Sequence, residues 1–150
     1  MGKVLPYLAI GFVSVLLVIL EARVVFAVPL RGSLLLLLLE GLLFILVSLS
    51  LGMLISSRTS SQRVAMMGAM LGTMLPTMLL SGFIFPVESM PTVLRWVSNI
   101  IPAKWFVTIA RSIMLKGVGL DYLWPDTLVL CLMAAVLLTV STRSFHVRLE

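Results

Sequence analysis

Long apolar stretches separated by shorter polar connections dominate the hydropathy pattern of this chain. A helix needs about 20 residues to cross the roughly 30 Å hydrocarbon layer of a bilayer, because each residue advances the helix by about 1.5 Å. Unpaired backbone groups are costly in lipid, so stretches of that length are predicted to be membrane-spanning helices. Four stretches qualify: Val4 to Leu20, Ser33 to Ile55, Val64 to Pro86 and Leu123 to Thr142.

A long segment of mixed polarity, Val87–Tyr122, separates the third stretch from the fourth. Apolar residues recur in it at three- and four-residue spacing, which is typical of amphipathic helices. We expect a first helix that is capped by Ser89 and interrupted at Pro102, because Ser favours helix starts and Pro breaks helix interiors. A second helix is expected to end at Lys116–Gly117, since Gly commonly follows the last helical residue.

These two helices are predicted to enter or lie on one leaflet without crossing the bilayer. All three tryptophans lie in or beside the segment, and tryptophan favours the membrane interface: Trp96, Trp105 and Trp124. In the alternative, Val97–Leu115 is a fifth span, which would bury Lys104 and Arg111 in hydrocarbon at about 2.5–3.5 kcal/mol each. The predicted fold class is therefore all-α: a polytopic transmembrane helical bundle with about four spans and a re-entrant or interfacial helical pair before the last span.

Composition and charge agree with a membrane protein and narrow the classes of partner. Hydrophobic residues make up 61% of the chain and charged residues 11%, whereas soluble domains carry about 25% charged residues. The net charge is +5, but the basic residues are scattered between apolar runs. This scatter excludes the clustered basic face that nucleic-acid binding needs, and the lipid bilayer is the expected environment. The single cysteine, Cys131, excludes an internal disulfide.

The polar turn Ser56–Arg63 (SSRTSSQR) favours one orientation of the bundle. With four spans, this turn lies on the same side of the membrane as both chain ends. The basic residues are divided almost evenly between the two sides, but this turn is short, dense in positive charge and free of acid. Because cytoplasmic loops are enriched in Lys and Arg, we place Arg58, Gln62 and Arg63 in a cytoplasmic loop.

A series of short motifs runs along nearly the whole chain. They are GKVLPY at 2–7, VPLRGSLLLL at 28–37, LGMLIS at 51–56, SGFIFPVESMP at 81–91, IIPAKWFV at 100–107 and RSIMLKG at 111–117. The SGFIFPVESMP block is the most specific, because such a string between a span and a re-entrant helix is not a generic membrane pattern. Together the motifs resemble the membrane subunit of a bacterial ATP-binding-cassette exporter of the type-2 permease family.

The resemblance implies an architecture that hydropathy does not. Such permeases usually have six spans, and this chain resembles only the last four. We therefore expect residues 1–150 to form a single transmembrane permease domain, the C-terminal part of a six-span permease, as a fragment, a truncated gene product or a split subunit. The implied partners are a second permease subunit, identical or different, and an ATP-binding-cassette ATPase subunit, in the inner membrane of a bacterial cell.

Two sets of candidate functional residues follow. The resemblance implies a re-entrant cap on the outer side over Met90–Gly117. The outer-gate candidates associated with it are Ser81, Gly82, Phe83, Phe85, Pro86, Met90, Pro91, Pro102, Arg111, Lys116 and Gly117. The candidates for the translocation path are Glu40, Met70, Met74 and Met78.

The translocation-path candidates also have simpler interpretations. Glu40 is costly in lipid, so it is expected to make a polar contact with a neighbouring helix, and a proton relay is the alternative. Methionines repeat every four residues in the third stretch, at Met66, Met70, Met74 and Met78. Such a stripe is most often ordinary packing or lipid-facing surface. Contact with an apolar substrate and binding of Cu(I) by soft sulfur are the alternatives.

The third stretch also contains a proline and several small residues. Pro76 frees a backbone carbonyl and can bend the helix, so it is a possible hinge for alternating access. Small residues at four-residue spacing, such as Gly68 and Gly72, allow helices to approach closely. We expect them to pack within the chain, and a seam between two copies is the alternative.

The sequence carries no motif for hydrolysis or for a cofactor. There is no GK[ST] phosphate loop and no Ser-His-Asp, Cys-His or paired-carboxylate arrangement, so ATP hydrolysis is expected on a separate subunit. The predicted function is a transmembrane subunit of an ATP-driven exporter that forms part of the path of an apolar or amphipathic solute. The alternatives are a non-transporting structural or regulatory subunit, a truncated remnant, or a proton- or metal-coupled carrier.

Overall fold

A computed structural model describes residues 2, 4–82 and 84–146, without the side chains of residues 145 and 146. Four helices in this part of the chain are long and apolar enough to cross a membrane. They are α1 (Val4–Val24), α2 (Leu34–Arg58), a composite third span over Gln62–Leu80, and α7, which begins at Leu120 and ends at His146. Over the described residues the fold is all-helical, and the prediction of a polytopic helical bundle is confirmed.

The third span is interrupted by a wider turn. It consists of α3 (Gln62–Ala69), a π-helical turn π1 (Met70–Met74) and α4 (Leu75–Leu80). The span ends six residues before the predicted boundary at Pro86, because Gly82 has a left-handed φ of +82° that an α-helix does not continue through.

Two short helices lie between the third span and α7. A 3₁₀ turn (Val87–Ser89) leads into α5 (Thr92–Ser98), and α6 (Pro102–Arg111) continues through a second π-helical turn, π2 (Ser112–Lys116). The prediction of two helices separated at Pro102 and ending at Lys116 is confirmed. The prediction that Ser89 caps the first helix is wrong, because Pro91 occupies the N-cap position of α5.

The core of the bundle lies where α6 packs between α2 and α7. The α2–α7 contact is the most extensive in the structure, and α6 contacts both helices. Five apolar side chains in this region are completely buried: Val47, Ile109, Ile113, Leu123 and Leu130. In contrast, neither α1 nor the described third span contains a buried residue.

Glycines allow a closer approach of two helices between α1 and α2 than beside the third span. A Cβ atom at Gly11 would lie 2.9 Å from Ile45, and one at Gly41 would lie 3.1 Å from Val15. A Cβ at Gly68 would lie 3.7 Å from Ile55 of α2, so the expectation of packing within the chain is confirmed there. A Cβ at Gly72 would meet no atom within 4 Å, so the same expectation is wrong for Gly72. Open space lies beside this part of the third span.

Candidate translocation site and outer hairpin

The helices α5 and α6 form a hairpin whose turn is held by polar contacts. The indole Nε1 of Trp105 donates to the carbonyl of Asn99 at 2.9 Å, and the ammonium of Lys104 donates to the side-chain oxygen of Asn99. The hydroxyl of the buried Ser98 donates to the carbonyl of Leu80 at the end of the third span. The turn is therefore tied to both arms of the hairpin and to the third span.

The second arm of the hairpin returns to the connection between α1 and α2. The Arg31 N–H donates to the carbonyl of Met114 at 3.1 Å. Gly117 has a φ of +68°, and a Cβ atom there would lie 3.0 Å from the carbonyl oxygen of Arg31. Glycine is required here both by the left-handed backbone and by the close approach of another main chain.

The turn of the hairpin reaches the middle of the bundle. Ile100, Ile101 and Pro102 line one cavity together with Thr73 of the third span and Leu132 of α7, which lie far from either end of their spans. The second arm, α6, lies between α2 and α7 and leads back to the end that carries Arg31, whereas residues 92–97 of the first arm are exposed and α5 contacts α4. The predicted helical pair before the last span is confirmed, and its re-entrant path through the bilayer stays a prediction.

A lysine with unusual surroundings lies in the first turn of α6. The Lys104 ammonium lies 4.7 Å from the centroid of the Trp105 ring. The carboxyl group of Asp126 and the guanidinium of Arg95 lie close enough to Lys104 to interact with it electrostatically. Arg95 itself donates to the carbonyl of Glu88 at 2.8 Å.

Pro76 accounts for the irregular third span. Proline lacks an N–H, and its ring clashes with the carbonyl four residues earlier, here that of Gly72. The turn before Pro76 is widened to a π turn, in which the Leu75 N–H bonds the carbonyl of Met70 instead of that of Leu71. Such widened turns are a recognised cause of helix bends and are frequent at functional sites.

Two cavities flank this irregular part of the third span. The first, about 440 Å³, lies between the third span and α7, and the second, about 450 Å³, lies between the third span and α2. Thr73, Thr77 and Pro102 line both cavities. The hairpin turn therefore borders both cavities, and the two threonines lie between them.

Only some residues of the methionine stripe line these cavities. Met74 and Met78 line the second cavity, while Met66 and Met70 do not line it and are exposed on the surface of the third span. Two of the three methionines that were candidates for the path, Met74 and Met78, thus border a space that a solute can occupy.

Glu40 lies elsewhere in the bundle, and its partner is a residue that the sequence analysis did not identify. It is six residues from the start of α2, which is about 9 Å along the helix axis, and it is 3% exposed. Its Oε1 accepts a 2.6 Å hydrogen bond from the hydroxyl of Thr127 in α7, and its Oε2 is buried with no partner in the part of the chain that the structure describes. Glu40 therefore makes the expected polar contact with a neighbouring helix, and it lines neither of the two cavities.

The outer-gate candidates are spread over the hairpin and the segment before it. Ser81 is buried, while the side chains of Phe85, Pro86 and Pro91 are exposed. A third cavity of about 530 Å³ lies between α4 and the approach to α5, and its lining includes Phe85, Pro86, Met90 and Pro91. Arg111 and Lys116 are exposed on the second arm of the hairpin. Phe83 lies outside the described residues.

The loop candidates lie at the opposite end of the bundle. Arg58 is the last residue of α2, and Gln62 and Arg63 begin α3. All three are exposed. Ser61 caps α3 by accepting a hydrogen bond from the Val64 N–H at 3.4 Å.

Comparison with known proteins identifies the family. A family model described as "ABC-2 family transporter protein" matches residues 1–143. The chain is 44% identical over 115 residues to the "Probable multidrug ABC transporter permease YbhS" of Escherichia coli strain K12, covering 77% of this chain and 30% of that protein. It is 33% identical over 123 residues to the permease YbhR of the same organism, covering 82% of this chain and 33% of that protein.

A eukaryotic relative is also similar. The "ABC transporter G family member 20" of Dictyostelium discoideum is 33% identical over 123 residues, which cover 81% of this chain and 16% of that protein. No solved structure matches. The chain spans no more than about a third of the length of these relatives. With four membrane-spanning helices, a helical hairpin and a family match over nearly all its length, this chain belongs to the ABC-2 transporter family.

Proposed function

We propose that this chain is the C-terminal membrane-spanning part of a permease in an ATP-driven exporter, and that it forms part of the path of an apolar or amphipathic solute. The observation that carries the proposal is the third span, which has no buried residue among those described and is flanked by two cavities beneath the hairpin turn. Membership of the ABC-2 family supports the same function.

The proposed mechanism is movement of the third span against a fixed core. The α2–α7–α6 core holds the completely buried side chains and the Glu40–Thr127 hydrogen bond, so it is expected to remain packed. The third span has few contacts and a widened turn at Pro76, and such regions are the easiest to rearrange. Inward- and outward-open states would then differ in how this span lies against the hairpin turn, and nucleotide would shift their populations.

The partners and orientation belong to the same proposal. The chain lacks a phosphate-binding loop, so an ATP-binding-cassette ATPase would supply the hydrolysis, and a second permease subunit would complete the path. The exposed Arg58 and Arg63 support a cytoplasmic position of the Ser56–Arg63 turn in a bacterial inner membrane, with the hairpin on the outer side.

The experiment restrains the third span. Cysteines replace Ala69 and Ala103, which line the same cavity, in a Cys131→Ala background, and a cleavable bifunctional reagent joins them. We expect ATP-dependent dye accumulation by inverted membrane vesicles to be lost on crosslinking and restored on cleavage. The control crosslinks Gly11→Cys to Ile45→Cys, which join α1 to the fixed core, and it should leave accumulation unchanged.

Two outcomes would contradict the proposal. One is accumulation that continues after the third span is crosslinked to the hairpin turn. The other is the absence of any ATP-dependent accumulation that requires this chain, which would favour a structural or regulatory subunit.

A further inference from the structure

Three hydroxyl groups face the two cavities without a hydrogen-bond partner. Thr73 and Thr77 border both cavities, and Ser48 of α2 borders the second. Within the described part of the chain, none of these three hydroxyls forms a hydrogen bond, and none of the three side chains is buried.

Several other hydroxyls in the spans are satisfied internally, although the buried hydroxyl of Ser141 in α7 has no partner among the described residues. Ser50, Thr139 and Thr142 each donate to the carbonyl one turn earlier in their own helix, at 2.7, 2.7 and 2.9 Å. Thr127 donates to Glu40. In lipid a free hydroxyl loses its solvent hydrogen bonds, so the three at the cavities need a partner from whatever fills the space.

The rest of each lining is apolar and uncharged. Apolar residues of α2, the hairpin turn and α7 line the first cavity beside the third span, and no Asp, Glu, Lys or Arg among the described residues lines either cavity. A charged occupant would have no counter-charge there, and burial of an unpaired charge is strongly unfavourable. The volumes of about 440 and 450 Å³ fall within the range of small-molecule sites.

We propose that the two cavities form one binding site for an uncharged, largely apolar solute with a hydrogen-bond acceptor, which Thr73 and Thr77 bind through their hydroxyls. The two threonines are one helical turn apart at the boundary between the cavities, so one acceptor can reach either hydroxyl. The inference that the bound molecule is the solute of the exporter rests on the proposed function. Binding itself requires neither nucleotide nor ATPase.

The test measures binding of two matched dyes to the full chain in lipid nanodiscs, with the signal of empty nanodiscs subtracted. Nile red is neutral, and its polar atoms only accept hydrogen bonds, whereas Nile blue is its cationic counterpart. We expect Nile red to bind and Nile blue to bind at least about tenfold more weakly, because the lining offers donors and no counter-charge.

Isosteric variants isolate the hydroxyls. The double variant Thr73→Val/Thr77→Val keeps the volume of the side chains and is expected to weaken Nile red binding about tenfold, since each net hydrogen bond accounts for several-fold in affinity. Thr73→Ser/Thr77→Ser should restore binding. The control Thr139→Val removes a hydroxyl that bonds its own helix outside both cavities, and it should leave binding unchanged.

A steric pair tests the location of the site. Gly72 lines the first cavity, and a Cβ atom there would meet no atom within 4 Å, so Gly72→Leu is expected to fill the cavity and abolish binding. Gly119→Leu is the control, because a Cβ atom there also meets no atom within 4 Å and Gly119 lines neither cavity, so binding should persist.

Each outcome is decisive. Binding that survives Gly72→Leu would overturn the site, and binding that is lost with Gly72→Leu but unaffected by Thr73→Val/Thr77→Val would overturn the role of the two threonine hydroxyls. Threonine-dependent binding without ATP-dependent export would leave the site standing and overturn the exporter function. Export that is unchanged by variants that abolish binding would overturn the role of the site in export.

Discussion

The least expected polar residue of the spans, Glu40, is held by a single side-chain hydrogen bond. Its carboxylate is 3% exposed, and Thr127 supplies the one donor that it has among the described residues. The second oxygen, Oε2, is buried and has no partner among them. The pair joins α2 to α7 across the most extensive helix contact, so its removal should loosen the core.

We predict that Thr127→Val destabilises the bundle by about 0.6–1.7 kcal/mol, the range of hydrogen bonds between membrane helices. The free energy of unfolding is measured by titration with dodecyl sulfate, followed by tryptophan fluorescence. Glu40→Gln keeps an oxygen that can accept from Thr127, so it should lower the free energy of unfolding less than Thr127→Val does. The matched control is Thr139→Val, which removes a hydroxyl that bonds its own helix. Equal stability of Thr127→Val and wild type would contradict a stabilising role of the Glu40–Thr127 hydrogen bond.

The backbone at Gly117 sets a second residue-scale requirement. Because φ is +68° and the Arg31 carbonyl is close, Gly117→Ala is expected to lower stability by roughly 1–2 kcal/mol, the cost of left-handed backbone for a residue with a Cβ. Gly119→Ala is the control, since a Cβ there meets no atom within 4 Å. Equal thermal unfolding temperatures of these two variants in detergent would be inconsistent with the role given to Gly117.

At the scale of elements, the helices were predictable and their interruptions were not. Length and apolarity are local properties, so four spans and a helical pair broken at Pro102 follow from the sequence. The end of the third span at Leu80 depends on Gly82, and its π turn depends on how Pro76 is accommodated. Neither is specified by hydropathy.

The candidate site was predictable only in part, for the same reason. A methionine stripe is visible as a repeat, but which methionines border a cavity depends on neighbouring helices. Thr127 is 87 residues from Glu40 in the chain, and no local pattern pairs the two. Thr73 and Thr77 are ordinary residues in an apolar run until the cavities beside them are known.

The π turn leads to a prediction for the third span as an element. Pro76→Ala supplies the missing N–H and removes the clash, so amide hydrogen exchange in Gln62–Leu80 should slow at least about tenfold, given the roughly 3 kcal/mol cost of an internal proline. Pro6→Ala is the control, because Pro6 lies in the first turn of α1, where an N–H has no helical partner. Unchanged exchange in the third span would exclude Pro76 as the source of its irregularity.

At the scale of the whole molecule, the account depends on a hairpin that enters the bundle and returns to the same side. This topology puts the hairpin turn beside the third span and encloses the two cavities. It also leaves the two ends of the hairpin on the side opposite to the Ser56–Arg63 turn. If the hairpin crossed the membrane instead, the roles given to the cavities, the fixed core and the re-entrant cap would no longer hold.

Accessibility of single cysteines tests this topology most directly. Ser60→Cys, Glu88→Cys and Gly119→Cys are made separately in a Cys131→Ala background and exposed to an impermeant maleimide in intact cells and in inverted vesicles. These positions are exposed in the turn, before the hairpin and after it, respectively. We predict labelling of Glu88→Cys and Gly119→Cys in cells, and of Ser60→Cys only in inverted vesicles. Labelling of Glu88→Cys and Gly119→Cys from opposite faces would contradict the account.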